Sequence, residues 1–459
     1  MASRIRAHRA ALLTLSTTSS KESKGVFCMS QRESFSSKIG FFFSALGCAV
    51  GCGNLWRFPY MVGTHGGAVF LLIYLLIVAF IAYPLLSMEF ALGRITQKDP
   101  VGAYRAIAPK KAWPIAGYMG LAVSFCFLCY LTPIFGWFVG YLFRFAVGFF
   151  NEMSPAEIAE YFTVYRTNGN VIAAQSLILL VVISLLLLKG VRKGLEATNN
   201  ICMPLLLVIL ILLCIRSLTL PNIGPGLEFY LKPDFSKFTL ASLVAALGQA
   251  LFSVGIGIGC GIVFGSYLPR DGSSISKKAT MVCIGDTIVA FLAGIMIFPS
   301  IFSFNLEPNA GAGLLFVTLP NVFNRMVFGN VIAIMTVLLF MLAMITSQIA
   351  CLEALICFAQ DHLHIARQKT LMILVPIIAV LIWLNAFSPK SFDTFDWFTS
   401  FVLLNGGALI SSIFFGWVWG PDKALDAADI KNHRGLWAFL LKFLIPLAVA
   451  CIFVTGFFM

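Results

Sequence analysis

The stretch Gly47–Pro59, which reads GCAVGCGNLWRFP, interrupts an apolar segment that is long enough to cross a lipid bilayer. Gly47, Gly51 and Gly53 fall in the middle of this segment. Glycine is a poor helix former, and unpaired backbone groups persist within lipid only where they line a cavity or bind a ligand. The pattern predicts a helix broken near Val50–Gly53, whose carbonyl groups can bind a cation and whose N–H groups can bind a carboxylate. A glycine-rich face packed against another helix is the alternative interpretation.

The composition is that of a membrane protein. The chain has 459 residues, of which 59% are hydrophobic and 11% are charged, and its mean hydropathy is +0.92. Soluble chains of this size carry many more charges. The formal net charge of +12 does not call for a nucleic acid partner, because cytoplasmic loops of membrane proteins are rich in Lys and Arg. The 12 cysteines lie mostly in apolar segments, which indicates small packing residues.

Apolar segments of spanning length recur along the whole chain, which predicts an all-α polytopic membrane protein. We number them spans 1 to 11, and they cover residues 39–61, 68–92, 113–149, 171–189, 196–216, 240–268, 280–304, 330–359, 370–387, 395–419 and 436–457. Alternate loops are richer in Lys and Arg, and these are the cytoplasmic loops if the N-terminus is cytoplasmic. The C-terminus is then expected outside.

Span 6 carries the same kind of interruption as span 1. Its stretch LGQALFSVGIGIGCG, over residues 247–261, has Gly255, Gly257 and Gly259 in its middle. Two glycine-interrupted spans that lie five spans apart are typical of secondary transporters built from inverted repeats. The pattern therefore predicts that spans 1 and 6 are both unwound at mid-membrane. Glycine-mediated helix packing is again the alternative interpretation.

This pattern predicts the organisation of the chain. Residues 29–459 form the transporter domain, with a first repeat over 39–216, a second over 240–419 in the opposite orientation, and a peripheral span over 436–457. Residues 1–28 are predicted to be a disordered extension outside the fold. This Arg- and Ser-rich extension resembles an organelle transit peptide. An upstream start codon, with the functional chain beginning at Met29, is the other interpretation.

Four stretches of the sequence resemble one known family. They are GCAVGCGNLWRFPY in span 1, EFALGR at the end of span 2, GQALFSVGIG in span 6 and ITSQIACLE in span 8. The chain from Ser30 onward resembles the neurotransmitter:sodium symporter family, and its eleven spans are similar to the bacterial amino-acid branch. The resemblance implies a secondary transporter that couples an amino acid to sodium by alternating access. It implies no organic cofactor.

The resemblance also implies two sodium sites, built where the interrupted spans expose oxygen atoms. The residues implied for the first site are Ala49, Asn54, Ser253 and Asp286, together with the substrate carboxylate. The residues implied for the second site are Gly47, Val50, Ala343, Thr346 and Ser347. On the residues alone, the hydroxyls of Thr346 and Ser347 have another interpretation, since hydroxyls in membrane helices commonly bond back to their own helix.

Asp286 distinguishes this chain from the animal members that it resembles. In the animal members of the family that the chain resembles, the residue at this position is an asparagine, and a chloride ion supplies negative charge nearby. A carboxylate within span 7 is costly in lipid and is therefore expected to be functional. The family's chloride position four residues later is Ala290 in this chain. We predict that Asp286 supplies the negative charge and that transport does not require chloride.

The substrate is predicted to carry its own carboxylate. Monoamine members resemble one another in placing an aspartate at the position of Gly51, which cannot pair with an amine. The resemblance places the substrate carboxylate at the backbone amides of Cys52 and Gly53 and at the hydroxyl of Tyr130. The sequence spacing between Tyr130 and Trp137 is one residue longer than is usual in the family. The pocket residues that it implies are Ala49, Cys52, Gly53, Phe127, Tyr130, Phe252, Val254, Gly255, Ile258, Ser347 and Cys351. This neutral lining favours an aromatic side chain first and a branched aliphatic one second.

Two gates and a hinge complete what the resemblance implies. Arg57 faces Asp396 to close the outer path, with Gln249 beside them, and Arg32 pairs with Asp361 to close the inner path. On the residues alone, Arg32 is equally explained as a positively charged anchor on the cytoplasmic side. The residues that resemble a bacterial unwinding motif in span 5 are Gly194 and Pro204, with nine residues between them.

Other functions meet obstacles in the sequence. A channel needs a continuous polar lining, and few charges lie within the spans. An enzyme needs a base and nucleophile or a metal set, and all five His lie near span ends or outside the core. A transport-inactive amino-acid sensor of the same fold and a proton-coupled variant remain alternatives. We predict a protein of the bacterial inner membrane with an amino acid as its small-molecule partner and no nucleic acid partner.

Overall fold

The structure is a computed structural model, and it describes residues 32–270, 273–306 and 313–455. By its internal contacts the chain separates into residues 1–33 and residues 34–459. The first unit is described only at Arg32 and Glu33. The predicted extension over residues 1–28 therefore lies outside the described residues, and the fold below is that of the second unit.

The described ranges contain helices, turns and no strand. Within them, nine helices are long and apolar enough to cross a membrane, and a bent pair of helices makes a tenth span. Spans 1 to 5 are Lys38–Ala49 with Gly53–Thr64, Ala68–Thr96, Pro114–Ala146, Gly169–Leu187 and Val191–Leu218. Spans 7 to 11 are Ile275–Ser303, Gly329–His362, Arg367–Phe387, Lys390–Trp419 and Arg434–Thr455. The predicted span 6 consists of two helices, Leu240–Val254 and Cys260–Ser266, and it is not among these ten because each of the two is shorter than a membrane-crossing helix. The prediction of an all-α polytopic membrane protein is confirmed.

Shorter helices connect the spans. They are Pro100–Ile107, Pro155–Tyr165, Gly224–Leu231, Leu314–Asn324 and Pro421–Ala427, with a 3-10 turn at Phe235–Lys237. Span 1 packs against spans 5, 7 and 8, and both halves of span 6 pack against span 2. Span 11 is the least buried of the nine uninterrupted spans in the described residues, with 28% of its most apolar window buried, as expected of a peripheral helix.

Span 1 is broken where the glycines predict, and its two helices are inclined by 51°. At the break, the N–H of Gly51 donates to Asn54 Oδ1 at 3.3 Å, and the N–H of Asn54 donates to the Gly51 carbonyl at 3.2 Å. In a regular helix these two N–H groups would instead bond the carbonyls of Gly47 and Val50. Both carbonyls are therefore released from the helix, as a cation site requires.

Span 6 is broken by glycines in a conformation that other residues rarely adopt. Gly255, Gly257 and Gly259 have φ angles of +77°, +80° and +85°. The N–H of Gly257 donates to the Glu89 side chain at 2.9 Å, although in a helix it would bond the carbonyl of Ser253. The Ser253 carbonyl is therefore also released. The predicted interruptions in spans 1 and 6 are both present.

Replacing Gly257 with alanine should destabilise the protein. A Cβ at this position would combine the positive φ with contacts of 3.1 Å to the Ala408 nitrogen and the Leu404 carbonyl oxygen. The expected cost is about 1–2 kcal/mol, visible as a lower thermal unfolding temperature of the purified protein. Gly248→Ala is the matched control in the same span, because its Cβ meets no atom within 4 Å and alanine favours the helix. Equal stability of the two variants would contradict this explanation of the break.

Candidate functional site

A buried carboxylate lies where spans 1, 2, 6 and 7 meet. Asp286 accepts hydrogen bonds from Asn54 Nδ2 at 2.7 Å, from Ser253 Oγ at 2.9 Å and from the Tyr74 hydroxyl at 3.3 Å. None of the four side chains is exposed to solvent by more than 1%. Burial of a carboxylate is tolerated only when donors or a cation compensate for lost hydration. The network therefore concentrates negative charge and oxygen atoms at the two breaks.

These atoms have the chemistry of a cation site. Hard cations bind carboxylate, carbonyl, amide and hydroxyl oxygens. Asn54, Ser253 and Asp286 are in mutual hydrogen-bond contact. The released backbone carbonyl of Ser253 belongs to one of these three residues. Ala49 lines the adjoining cavity. All four residues implied for the first sodium site thus lie in one region of the structure.

The residues implied for the second sodium site lie between spans 1 and 8. Thr346 Oγ1 and Ser347 Oγ both donate to the Ala343 carbonyl at 3.0 Å, which is the bond to the same helix considered from the sequence. A hydroxyl that donates its hydrogen keeps lone pairs that can accept a cation. Gly47 of span 1 lies close to span 8, since a Cβ on Gly47 would be 3.0 Å from Thr346 Cβ. With the released carbonyls of Gly47 and Val50, these atoms also suit a hard cation.

A central cavity lies beside these groups. Its lining residues are Cys48, Ala49, Gly51, Cys52, Gly53, Phe127, Leu131, Phe252, Ile258, Ser347, Gln348 and Cys351. They include eight of the eleven predicted pocket residues. The cavity has no charged lining residue in the described part of the chain, so a bound molecule must be neutral overall or have its charge compensated by ions or backbone dipoles.

Two unpaired backbone donors open into the central cavity. Among the residues described, the N–H groups of Cys52 and Gly53 donate to no backbone carbonyl, because they begin the second helix of span 1. Both residues line the cavity. The first turn of a helix carries partial positive charge, and its free N–H groups bind anions. This end of the cavity therefore suits a carboxylate.

Tyr130 lies in a second cavity rather than in the central one. We call it the Arg57 cavity, and its lining residues are Cys52, Trp56, Arg57, Tyr60, Tyr130, Leu131, Phe252, Phe392 and Asp396. The buried hydroxyl of Tyr130 has no hydrogen-bond partner within the described chain. Leu131 lines both cavities, because the chain turns at this residue between two helices, with Pro133 two residues on. Leu131, and not Tyr130, therefore lines the central cavity, and the contact between the Tyr130 hydroxyl and a substrate carboxylate stays a prediction.

Val254 and Gly255 are the other two predicted pocket residues that do not line the central cavity. Val254 ends the first helix of span 6 and is buried. A Cβ on Gly255 would lie 3.5 Å from the side chain of Ile258, which does line the cavity. Because that is an ordinary van der Waals distance, Gly255 is needed for its positive φ angle and not for its small size.

The predicted outer gate residues lie near one another without forming their ion pair. Arg57 and Asp396 both line the Arg57 cavity, but they make no ion pair within 4.0 Å in the described structure. The guanidinium of Arg57 instead lies over the ring of Phe252, 4.5 Å from its centre. Gln249 Nε2 donates to the Gly53 carbonyl at 2.8 Å. Gln249 therefore joins span 6 to the break in span 1.

The structure describes the residues of the predicted inner gate, Arg32 and Asp361, and of the predicted hinge in span 5, Gly194 and Pro204. Asp361 accepts a hydrogen bond from the N–H of Asp99 at 2.9 Å. Arg32 belongs to the unit of residues 1–33, and its pairing with Asp361 stays a prediction. A Cβ on Gly194 would lie 2.1 Å from the Leu186 carbonyl oxygen, so close packing requires this glycine. Pro204 lies inside the continuous helix Ala197–Leu218, and unwinding there stays a prediction.

Several site residues were missed by the sequence analysis. The acid Glu89 in span 2 offered a signal, since an ionisable residue within a span is expected to be functional. The others offered no comparable signal, because their roles depend on which helices meet in three dimensions. They are Cys48, Tyr74, Leu131 and Gln348.

An all-helical membrane protein with two interrupted spans around a central cavity has the architecture of a secondary transporter. The family model described as "Sodium:neurotransmitter symporter family" matches residues 32–154 and 163–459 of this chain. The chain belongs to this family, and the resemblance inferred from the four motifs is confirmed. Members of the family are symporters, which places the protein among sodium-dependent transporters and not among enzymes.

Individual relatives agree with this assignment. The chain is 34% identical over 439 residues to the uncharacterized sodium-dependent transporter YhdH of Bacillus subtilis (strain 168), covering 92% of this chain and 97% of that protein. It is 32% identical over 452 residues to an uncharacterized sodium-dependent transporter of Haemophilus influenzae, covering 93% and 99%. The fold is similar to the crystal structure of MhsT in complex with L-phenylalanine, with a TM-score of 0.85, 35% identity, and coverage of 93% of this chain and 100% of that one.

Proposed function

We propose that this protein is a sodium-coupled symporter of a neutral amino acid with an aromatic or other hydrophobic side chain, and that chloride is not required. One observation carries the proposal: the buried network around Asp286 joins the two broken spans directly beside the central cavity. Family membership supports the use of sodium. The L-phenylalanine bound by the similar protein MhsT supports the choice of substrate.

The substrate is oriented by the two ends of the cavity. Its carboxylate binds at the free amides of Cys52 and Gly53, where the helix dipole favours a negative charge. Its side chain lies among Phe127, Phe252 and Ile258, which offer apolar and aromatic surface. A substrate with a charged side chain would have to lose its hydration without gaining a partner, which is unfavourable.

Two sodium ions are transported with the substrate. The first binds at Ala49, Asn54, Ser253 and Asp286, and the substrate carboxylate is its remaining ligand. The second binds at Gly47, Val50, Ala343, Thr346 and Ser347, between spans 1 and 8. Because sodium and substrate share the carboxylate, each raises the affinity of the other. Alternating access follows if the ions and the substrate bind one conformation more tightly than the other.

Asp286 removes the need for chloride in this proposal. Its carboxylate lies within hydrogen-bond distance of Asn54 and Ser253, so it balances the charge of a nearby cation. Ala290, one turn further along span 7, is fully buried and offers no polar atom to hold an anion. The protein supplies the negative charge itself.

The membrane setting is proposed from the distribution of charges. The protein lies in the bacterial inner membrane with its N-terminus in the cytoplasm and its C-terminus outside, because this orientation places the Lys- and Arg-rich loops inside. Arg57 pairs with Asp396 when the outer path closes, and span 5 unwinds between Gly194 and Pro204 when sodium leaves.

Transport by proteoliposomes tests the proposal. We expect vesicles with an inward sodium gradient to accumulate radiolabelled L-phenylalanine, and vesicles in choline buffer to accumulate none. Replacing chloride with gluconate should leave the initial rate unchanged. Uptake driven by a pH gradient without sodium would favour the proton-coupled alternative. Sodium-dependent binding without accumulation would favour the transport-inactive sensor.

A further inference from the structure

A buried amide in span 5 has an oxygen atom without a partner. The side chain of Asn199 is fully buried, and its Nδ2 donates to the Leu195 carbonyl at 2.9 Å. Its Oδ1 accepts no hydrogen bond within the described residues. Buried polar atoms are nearly always paired, so an unpaired amide oxygen inside a membrane protein indicates a ligand or a functional constraint.

The unpaired oxygen points at the proposed second sodium site. A Cβ built on Gly47 would lie 2.4 Å from Asn199 Oδ1 and 3.0 Å from Thr346 Cβ. Span 5 therefore brings this oxygen to the place where span 1 meets span 8. The hydrogen bond to Leu195 holds the NH₂ group of the amide away from Gly47, so that the oxygen faces this junction.

The groups around this junction suit a cation. The Gly47 carbonyl is released from its helix, because the N–H of Gly51 donates to Asn54. The hydroxyls of Thr346 and Ser347 have already donated their hydrogens to Ala343, and only their lone pairs remain. The Asn199 amide oxygen adds one more hydrogen-bond acceptor to this cluster. A hard cation satisfies all of these oxygens together.

We propose that Asn199 Oδ1 belongs to the second sodium site and is the oxygen that span 5 contributes to it. This inference rests on the proposed function, since it assigns a further residue to a site that sodium coupling requires. Asn199 lies between Gly194 and Pro204, the two residues of the predicted hinge. Movement of span 5 therefore withdraws one oxygen from the ion, which links the hinge to sodium release.

Sodium binding, measured without transport, tests the inference. The purified protein is titrated with sodium chloride at constant ionic strength in choline chloride, and the rise in thermal unfolding temperature gives the half-saturating sodium concentration. Asn199→Leu should raise this concentration about tenfold, because one ligand of a charged group is lost. Asn200→Leu is the matched control, since its side chain is the exposed neighbour on the same helix, and it should bind sodium as the wild type does. An unchanged half-saturating concentration in Asn199→Leu would overturn the inference.

A second variant keeps the test decisive if Asn199→Leu does not fold. Asn199→Asp retains an oxygen and adds negative charge, so it should lower the half-saturating sodium concentration, and an unchanged or higher value would overturn the inference. Thr346→Ala separates this result from the proposed function. If sodium stabilises neither the wild type nor any variant, the sodium-coupled function fails. If Thr346→Ala weakens sodium binding while both Asn199 variants match the wild type, only the role of Asn199 fails.

Discussion

Replacing Asn54 with alanine should strongly reduce sodium-dependent uptake of L-phenylalanine by proteoliposomes. The substitution removes the 2.7 Å hydrogen bond to Asp286 and the 2.9 Å hydrogen bond to Ser253, and it frees the N–H of Gly51 from Asn54 Oδ1. Loss of a hydrogen bond to a buried charge costs roughly 1.5–3 kcal/mol. Since the amide oxygen is also a proposed sodium ligand, we expect the half-saturating sodium concentration to rise by at least about tenfold.

The control for this prediction is Asn385→Ala. Asn385 is also a buried asparagine within a span, but its Nδ2 bonds the Leu381 carbonyl of its own helix, away from the breaks. This variant should transport with the sodium dependence of the wild type. If Asn54→Ala transports at the wild-type rate and half-saturating sodium concentration, the first sodium site does not lie at this network.

Replacing Asp286 with asparagine should create a need for chloride. The variant keeps the size of the side chain and removes its charge, so a sodium ion beside it loses an attraction of about 4 kcal/mol at a separation of roughly 4 Å and an effective dielectric constant of about 20. We expect uptake in gluconate buffer to fall by at least about a hundredfold, since even half of this attraction corresponds to a factor of about 30 and the hydrogen bonds change as well. Added chloride should restore part of the rate by supplying a mobile negative charge.

The buffer comparison and an exposed carboxylate provide the controls. The wild type should show the same rate in chloride and in gluconate. Asp234→Asn removes a carboxylate whose side chain is 52% exposed in a connecting segment, and it should respond to neither anion. If Asp286→Asn behaves identically with and without chloride, Asp286 does not take the place of that ion.

The sequence was sufficient to predict both helix breaks, because their causes are local. Glycine adopts the φ angle of +80° seen at Gly257 without help from the rest of the fold. The carbonyl of Gly47 is released because Gly51 and Asn54, which form the competing hydrogen bond, lie within two turns of it in the sequence. The motif resemblance then brought together residues that are distant in the chain. The hydrogen bonds between Asn54 and Asp286, 232 positions apart, agree with that grouping.

Features that depend on packing between helices could not be predicted in the same way. The turn at Leu131 determines that Leu131, and not Tyr130, lines the central cavity. The unusual spacing between Tyr130 and Trp137 shows that the register of this span is irregular, but it does not show which residue faces the cavity. In the sequence, Asn199 does not differ from other polar residues near the start of a span. Its proximity to Gly47 becomes visible only in the packed structure. Gln249 likewise gains its role only through the Gly53 carbonyl of another span.

The central claim is that two broken spans bind sodium and an amino acid as neighbours. A binding screen of the twenty amino acids against the purified wild-type protein, in sodium and in choline, tests it most directly. The account predicts saturable binding of L-phenylalanine or a similar neutral, hydrophobic amino acid in sodium, and negligible binding of any amino acid in choline. Equal binding of the preferred amino acid in the two buffers would contradict the account.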